Sequence, residues 1–264
     1  MNFNHIYAIA KKQIKLDLRF KYGYFFDALI VPLRWFVMFA IIYGGFFSEG
    51  ADTLGMVERE NFIQFLLLGS LAYSYFASGF SLFHSKFVQE KYWKTIQGIL
   101  IAPFNKMDFI LGMGLSELLR HVIITPFFLI ILYALSPASL NSILLIIITI
   151  LLMYFGVLGI SLLQGVVYLI NEDVLPLFSY LFWTWGIFSC FYYPIEALPA
   201  VFNPLVELNP IYHGLVIVRE VWIYGTVSNF LYHLEFVLSF AIIAPLVSIF
   251  IFNKVITKYG ITGY

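Results

Sequence analysis

Charge is what this 264-residue chain has least of: Asp, Glu, Lys and Arg make up 11% of it, against 61% hydrophobic and 20% aromatic residues. Water-soluble domains carry about a quarter charged residues, so the composition excludes one and points to a membrane protein, in keeping with a mean hydropathy of +0.90. A single cysteine, Cys190, lies in an apolar run; it excludes an intrachain disulfide and a CxxC metal cluster and is expected to be a packing residue. The histidines His5, His84, His121, His213 and His233 include no H-x-x-x-H or H-E-x-x-H pair, so no metal is assigned. No G-x-x-x-x-G-K-[ST] phosphate loop occurs, and the chain is not expected to bind ATP through that Gly-rich cradle. No Ser, His and Asp can be put together as a catalytic set, and a formal net charge of zero gives no reason to expect nucleic acid. The opening "MNFNHIYAIAKKQIK" lacks the short apolar core and small-residue cleavage site of a signal peptide and is expected to be retained.

What the chain has is long apolar runs. A spanning helix needs roughly 20 mostly apolar residues, and six segments meet that need: Ala28 to Phe47, Phe62 to Phe83, Phe109 to Leu135, Ser142 to Ile170, Val174 to Phe191 and Leu231 to Phe252. The turn "LSPASLN", with Pro137 and Asn141, separates the third from the fourth. The fold class expected is an all-α membrane protein of six transmembrane helices. Lys11, Lys12, Lys15, Arg19 and Lys21 precede the first span, Lys86, Lys91, Lys94 and Lys106 lie between the second and third, and Lys254 and Lys258 follow the last. Arg59 and Arg219 fall on the opposite side, where "SEGADTLGMVERE" is mostly acidic. Both termini are therefore expected in the cytoplasm.

Two stretches are amphipathic instead of uniformly apolar. In residues 1–21, Phe3, Ile6, Tyr7, Ala10, Ile14 and Leu18 share one arc of a helical wheel, opposite Lys11, Lys12, Lys15 and Arg19, with Asp17 the one misplaced charge. This predicts a helix lying in the inner headgroup layer. In residues 86–104, Val88, Tyr92, Ile96, Ile99 and Leu100 form an apolar stripe, Glu90, Lys91, Lys94 and Gln97 take the remainder, and Pro103 ends the helix.

The passage "QEKYWKTIQGILIAPFNKMDFILGMGL" resembles the cytoplasmic loop of ABC-2-type transporter permeases. Glu90, Thr95, Ile99, Leu100, Ala102, Pro103 and the stretch Ile110 to Gly112 match, while Trp93 and Lys94 stand where a Gly-containing pair is usual. A second passage, "FYYPIEALPAVFNPLVELNPIYHGLVIVRE", is similar to that family's stretch before the last span through Tyr193, Pro194, Leu198, Pro199, Asn209, Pro210 and Arg219. The resemblance implies a single transmembrane domain over residues 1–264, the permease subunit of an ATP-driven exporter in the cytoplasmic membrane of a prokaryote. ATP and Mg would be held by a separate ABC ATPase, present in two copies beneath two permease chains that are expected to be identical. The helix of residues 86–104 would be the coupling helix: Val88, Tyr92, Ile96, Ile99 and Leu100, edged by Trp93, dock in an ATPase groove, and Glu90, Lys91 and Lys94 set register as rim charges. Residues 192–229, too Pro-rich to span and too apolar to float, would form short re-entrant helices capping an exit. The cargo implied is amphiphilic. "RFKYGYFFDALIVPL" is similar to glycan exporters and favours a lipid-linked polysaccharide, with a drug or lipid as the alternative; a membrane-embedded transferase and a gradient-driven transporter are the rivals from other classes.

Glu117, Arg120 and His121 fall at i, i+3 and i+4 of the third span, an expensive place for charge. They read either as part of a substrate path or headgroup site, or as a polar cluster that pairs internally and joins helices. Arg34 and Asp27 lie near the inner end of the first span, and Glu235 at the outer edge of the last marks an exit. The clusters "YSYF", "FWTW" and "FYY" read as channel-lining rings or as interfacial belts, and Gly69, Gly79, Gly112, Gly114, Gly156, Gly159 and Gly165 as sites of close helix packing.

Overall fold

Backbone inside a bilayer finds no water to bond, and a helix satisfies it locally. The computed structural model describes residues 2–50, 52–95, 98 and 106–259. It begins with α1 (Phe3–Leu18) and α2 (Lys21–Ser48), followed by a small antiparallel hairpin of β1 (Thr53–Leu54) and β2 (Val57–Glu58). Then come α3 (Phe62–Tyr92), α4 (Lys106–Leu135), α5 (Leu140–Ile170), α6 (Leu175–Phe188), α7 (Asn203–Glu207), α8 (Pro210–Ile223) and α9 (Phe230–Tyr259). Three of the helices, α1, α5 and α8, start at a side-chain cap. Asn2 accepts from the Asn4 amide at 3.0 Å, Ser139 of the "LSPASLN" turn from Ser142 at 3.1 Å, and Asn209 from Ile211 at 3.0 Å with Pro210 first in the helix.

Among the described residues, five helices are long and apolar enough to cross a membrane: α2, α3, α4, α5 and α9. The fifth run expected to span is the exception. Its helix, α6, has 14 residues, about 21 Å at 1.5 Å each, against a hydrocarbon core of about 30 Å. A 3-10 turn at Glu172–Val174 leads into it, and beyond Phe188 the chain turns at Cys190, whose φ of +55° is left-handed.

α3 is the axis of the bundle: 83% of its span window is buried, against 7% for α2 and 17% for α9. It packs on α2, α4 and α5; α5 in turn packs on α9, and α8 fits among α3, α5 and α9. Small residues set these approaches. A methyl group at Gly159 would stand 2.8 Å from the Ala244 carbonyl of α9, and at that crossing the Ser248 hydroxyl donates to the Gly159 carbonyl at 2.5 Å. At Gly112 of α4 a methyl would lie 2.9 Å from the Ile6 carbonyl, so α1 rests directly on α4. That contact divides the apolar arc expected to face lipid: Ile6 and Ala10 are buried with Gln13, while Phe3, Tyr7 and Leu18 stay exposed. The aromatic clusters "YSYF", "FWTW" and "FYY" meet one another between α3 and α6, with Phe76 5.4 Å from Phe182 and Tyr73 5.4 Å from Phe191.

Candidate functional site

The second span does not stop where hydrophobicity does. α3 runs on through the amphipathic stretch and ends at Tyr92; Trp93 is its C-cap, and Lys94 turns the chain with φ +58°. Residues 86–92 are thus the last turns of a spanning helix and not the start of a separate one, because nothing between Phe83 and Tyr92 breaks the helical path. Of the residues expected to dock on an ATPase, Ile96, Ile99, Leu100 and Pro103 lie outside the described residues. Tyr92 is 83% exposed and Trp93 stands beside it, also exposed, whereas Val88 packs inward against the core beneath.

Glu90 departs from the reading as a rim charge. It is only 3% exposed, because its side of the helix faces α1. Lys12 of α1 donates to its carboxylate at 2.9 Å, and the Thr95 hydroxyl also bonds that carboxylate. The Thr95 amide closes the turn by donating to the Glu90 carbonyl at 2.9 Å. Lys91 pairs with Glu172, at the turn before α6. Two further contacts hold α1. Lys86 donates to Asp17 at 2.9 Å, and the buried Asp108 of α4 accepts from the Asn2 amide at 3.1 Å, with His5 Nδ1 3.5 Å away. A carboxylate at a helix N-terminus also meets the positive end of its dipole. α1 is therefore fastened to α4 at its start and to α3 at its middle and end. Lys12, Asp17, Lys86, Thr95 and Asp108 were not singled out in this role from sequence. The available signal was Asp17, a carboxylate on the wrong side of a basic helix.

The polar trio of α4 separates. Arg120 donates to Glu117 at 3.1 Å, with its guanidinium 5.3 Å from the Tyr24 ring. His121 does not join them. Its ring stacks on Tyr75 at 3.7 Å and its Nε2 lies 2.8 Å from the Ser78 hydroxyl, since i+4 places it toward α3.

The motif before the last span converges on Arg219 and Asn209. The charge pattern places Arg219 with Arg59 on the side opposite the basic loops; the structure buries it to 2% exposure within α8. It donates to the Cys190 carbonyl at 3.0 Å and the Phe191 carbonyl at 2.6 Å, and its guanidinium lies 3.5 Å over the Phe65 ring. A methyl at Gly69 of α3 would collide with the Phe191 carbonyl. Gly69 is the eighth residue of α3, about 10 Å along its axis, so the irregular backbone after α6 is buried in protein well below that end of the bundle. Asn209 accepts from Trp185 at 2.9 Å and donates to Ser189 at 3.0 Å, tying α8 to α6. Tyr193 donates to the Ile187 carbonyl at 2.6 Å, and Pro194 and Pro199 each precede a 3-10 turn, with Leu198 between them. Among the described residues, no three of His, Cys, Asp and Glu gather as a metal-binding group.

The family model described as ABC-2 type transporter matches residues 4–223, a span that includes α1 but for its first residue, both sequence motifs and all of α8. No curated protein matches the chain.

Proposed function

The chain belongs to the ABC-2 type transporter family, and on that premise we propose that it is the permease of an ATP-driven exporter whose ATPase is a separate polypeptide bound at the α1 end. One observation carries the reading of that end: the close of α3 offers an exposed Tyr92–Trp93 shelf while, two residues away, Glu90 is buried in a grip on α1. A shelf that a partner pushes is useful only if the push goes somewhere. Here the linkage runs from Glu90 through Lys12 into α1, and from α1 through Asp108 into α4. Closure of two ATPase copies, driven by ATP and Mg, would thereby displace α1, α3 and α4 together.

In this reading α6, with the turns at either end, makes a short sixth crossing and α8 dips into the membrane from the far side, so both termini lie in the cytoplasm of a prokaryotic cell. A second, identical chain packs against α2 and α6, which leave Ile41, Ile42, Tyr180 and Trp183 exposed. The cargo is amphiphilic, a lipid-linked polysaccharide in preference to a drug or lipid, and moves outward.

The test is co-purification from native membranes of the wild-type chain and a Tyr92→Asp, Trp93→Asp variant. The expected result is an ATPase that accompanies the wild type and is lost from a variant of unchanged abundance and melting temperature. An ATPase that stays with the variant, or accompanies neither chain, overturns the docking assignment.

A further inference from the structure

Arg120 lines two cavities that together run from the α1 end into the middle of the bundle. The outer, about 570 Å³, is a vestibule bordered by Asp17, Arg19 and Lys86 below and Glu117 above. The inner, about 240 Å³, lies between α2, α3 and α4, with Tyr73, Ser74, Ser78, Ser81 and His121 on its walls. Polar surface of this kind is expensive within spanning helices and signals use. The serines already bond their own helix: Ser74 donates to Leu71 at 2.7 Å and Ser81 to Ala77 at 2.9 Å. Two groups are left over. Arg120 Nε and His121 Nδ1 are buried with no hydrogen-bond partner, and buried polar atoms in that condition ask for an explanation.

We propose that this groove is a binding site for the phosphate of an amphiphile's headgroup, with Arg120 as its anchor at the junction of the two cavities. Arg120 donates through Nη1 to Glu117 while its buried Nε has no partner, and a guanidinium is the side chain best matched to phosphate oxygens. Around the groove Arg19, Lys86 and Arg120 outweigh Asp17 and Glu117, so the balance of formal charge favours an anion. α2 is the least buried of the spanning helices, which leaves a lateral way for the ligand's tail to stay in lipid while the headgroup is held. The proposal rests on the bundle lying in a membrane and not on the ATPase assignment.

The experiment uses the full chain alone, in detergent, without any ATPase. Short-chain phosphatidic acid, diacylglycerol of the same chain length and inorganic phosphate are titrated separately, with bound stoichiometry read by native mass spectrometry. The expected result is one saturable phosphatidic acid per chain, about tenfold or more weaker in Arg120→Gln, partly restored in Arg120→Lys and unchanged in Lys15→Gln, a charge loss outside the groove. Ala77→Leu, which fills the inner cavity and leaves every charge in place, is expected to weaken binding too and serves if Arg120→Gln does not fold. Competition by inorganic phosphate supports recognition of the phosphate group from any source; binding by the lipid alone assigns a membrane headgroup. Equal binding of diacylglycerol, or phosphatidic acid binding untouched by both groove variants, overturns the site.

Discussion

The two ends of the bundle hold themselves together in opposite ways. At the α1 end, carboxylates and lysines pair across helices, and the Glu90 pair has a partner near water: Lys12 is half exposed where it meets Glu90. At the α8 end Arg219 is enclosed, its two terminal nitrogens held by two backbone carbonyls and its plane by an aromatic face, with Nε left without a partner. A pair with access to water can part and be re-solvated at small cost, whereas an enclosed guanidinium has nowhere else to go. On the proposed function the first end is the one that moves and the second the one that stays fixed, which is the division a device driven from one side needs.

The fixed end offers the largest effect. Arg219→Met keeps much of the volume but leaves the Cys190 and Phe191 carbonyls without their donor, and hydrogen bonds to charged groups contribute about 1.5–3 kcal/mol each. A loss of about 3 kcal/mol is expected, read as a fall in the denaturation midpoint in detergent. Arg219→Lys should recover less than half of it, because a point-like ammonium does not reproduce the guanidinium fork. Full stability in the methionine variant would show that this end is not anchored through Arg219.

At the movable end, Glu90→Gln keeps the shape and removes the charge, leaving Lys12 to solvent. The expected stability change is about 1 kcal/mol or less, discounted for the exposure of Lys12. Its effect on function is expected to be larger than its effect on stability: ATP-dependent transport in reconstituted vesicles should fall while the ATPase still co-purifies. That split separates a transmitting contact from a docking contact. Loss of the ATPase itself would place Glu90 in the docking surface after all.

Much of this contrast was hidden in the sequence for physical reasons. Apolar runs locate helices well because burial in lipid and helix formation select the same residues, so five of the six runs appear as helices of spanning length. They locate helix ends poorly. α3 continues to Tyr92 because an amphipathic stretch makes an equally good helix once α1 covers its polar side, and α6 stops at Phe188 because Arg219, 31 positions further on, holds the turned backbone that follows. Arg219 could be counted from sequence as a charge on the far side, but its burial depends on α8 fitting among three other helices. Glu90 stood out on the family's motif, yet its partner Lys12 lies 78 residues away, and no local pattern records such a pairing. The glycines were more legible, since a residue without a side chain in a spanning helix has few uses besides close approach, as Gly112 and Gly159 make.

The smallest effect sharpens the comparison most. Lys86 and Asp17 pair at 2.9 Å with both side chains largely shielded, so they lie between the half-open Glu90 pair and the closed Arg219 site. If shielding from water decides how firmly a contact holds, a double-mutant cycle of Lys86→Met and Asp17→Asn should give a coupling of about 0.5–1 kcal/mol, above the low end measured for exposed pairs. The cycle is read from denaturation midpoints of the four chains. Raising salt to about 1 M, where the screening length is near 3 Å, should weaken a water-accessible pair strongly and this one little. A coupling abolished by salt would place Lys86–Asp17 with the movable contacts, and α1 would then be held firmly only where Asp108 meets its first turn.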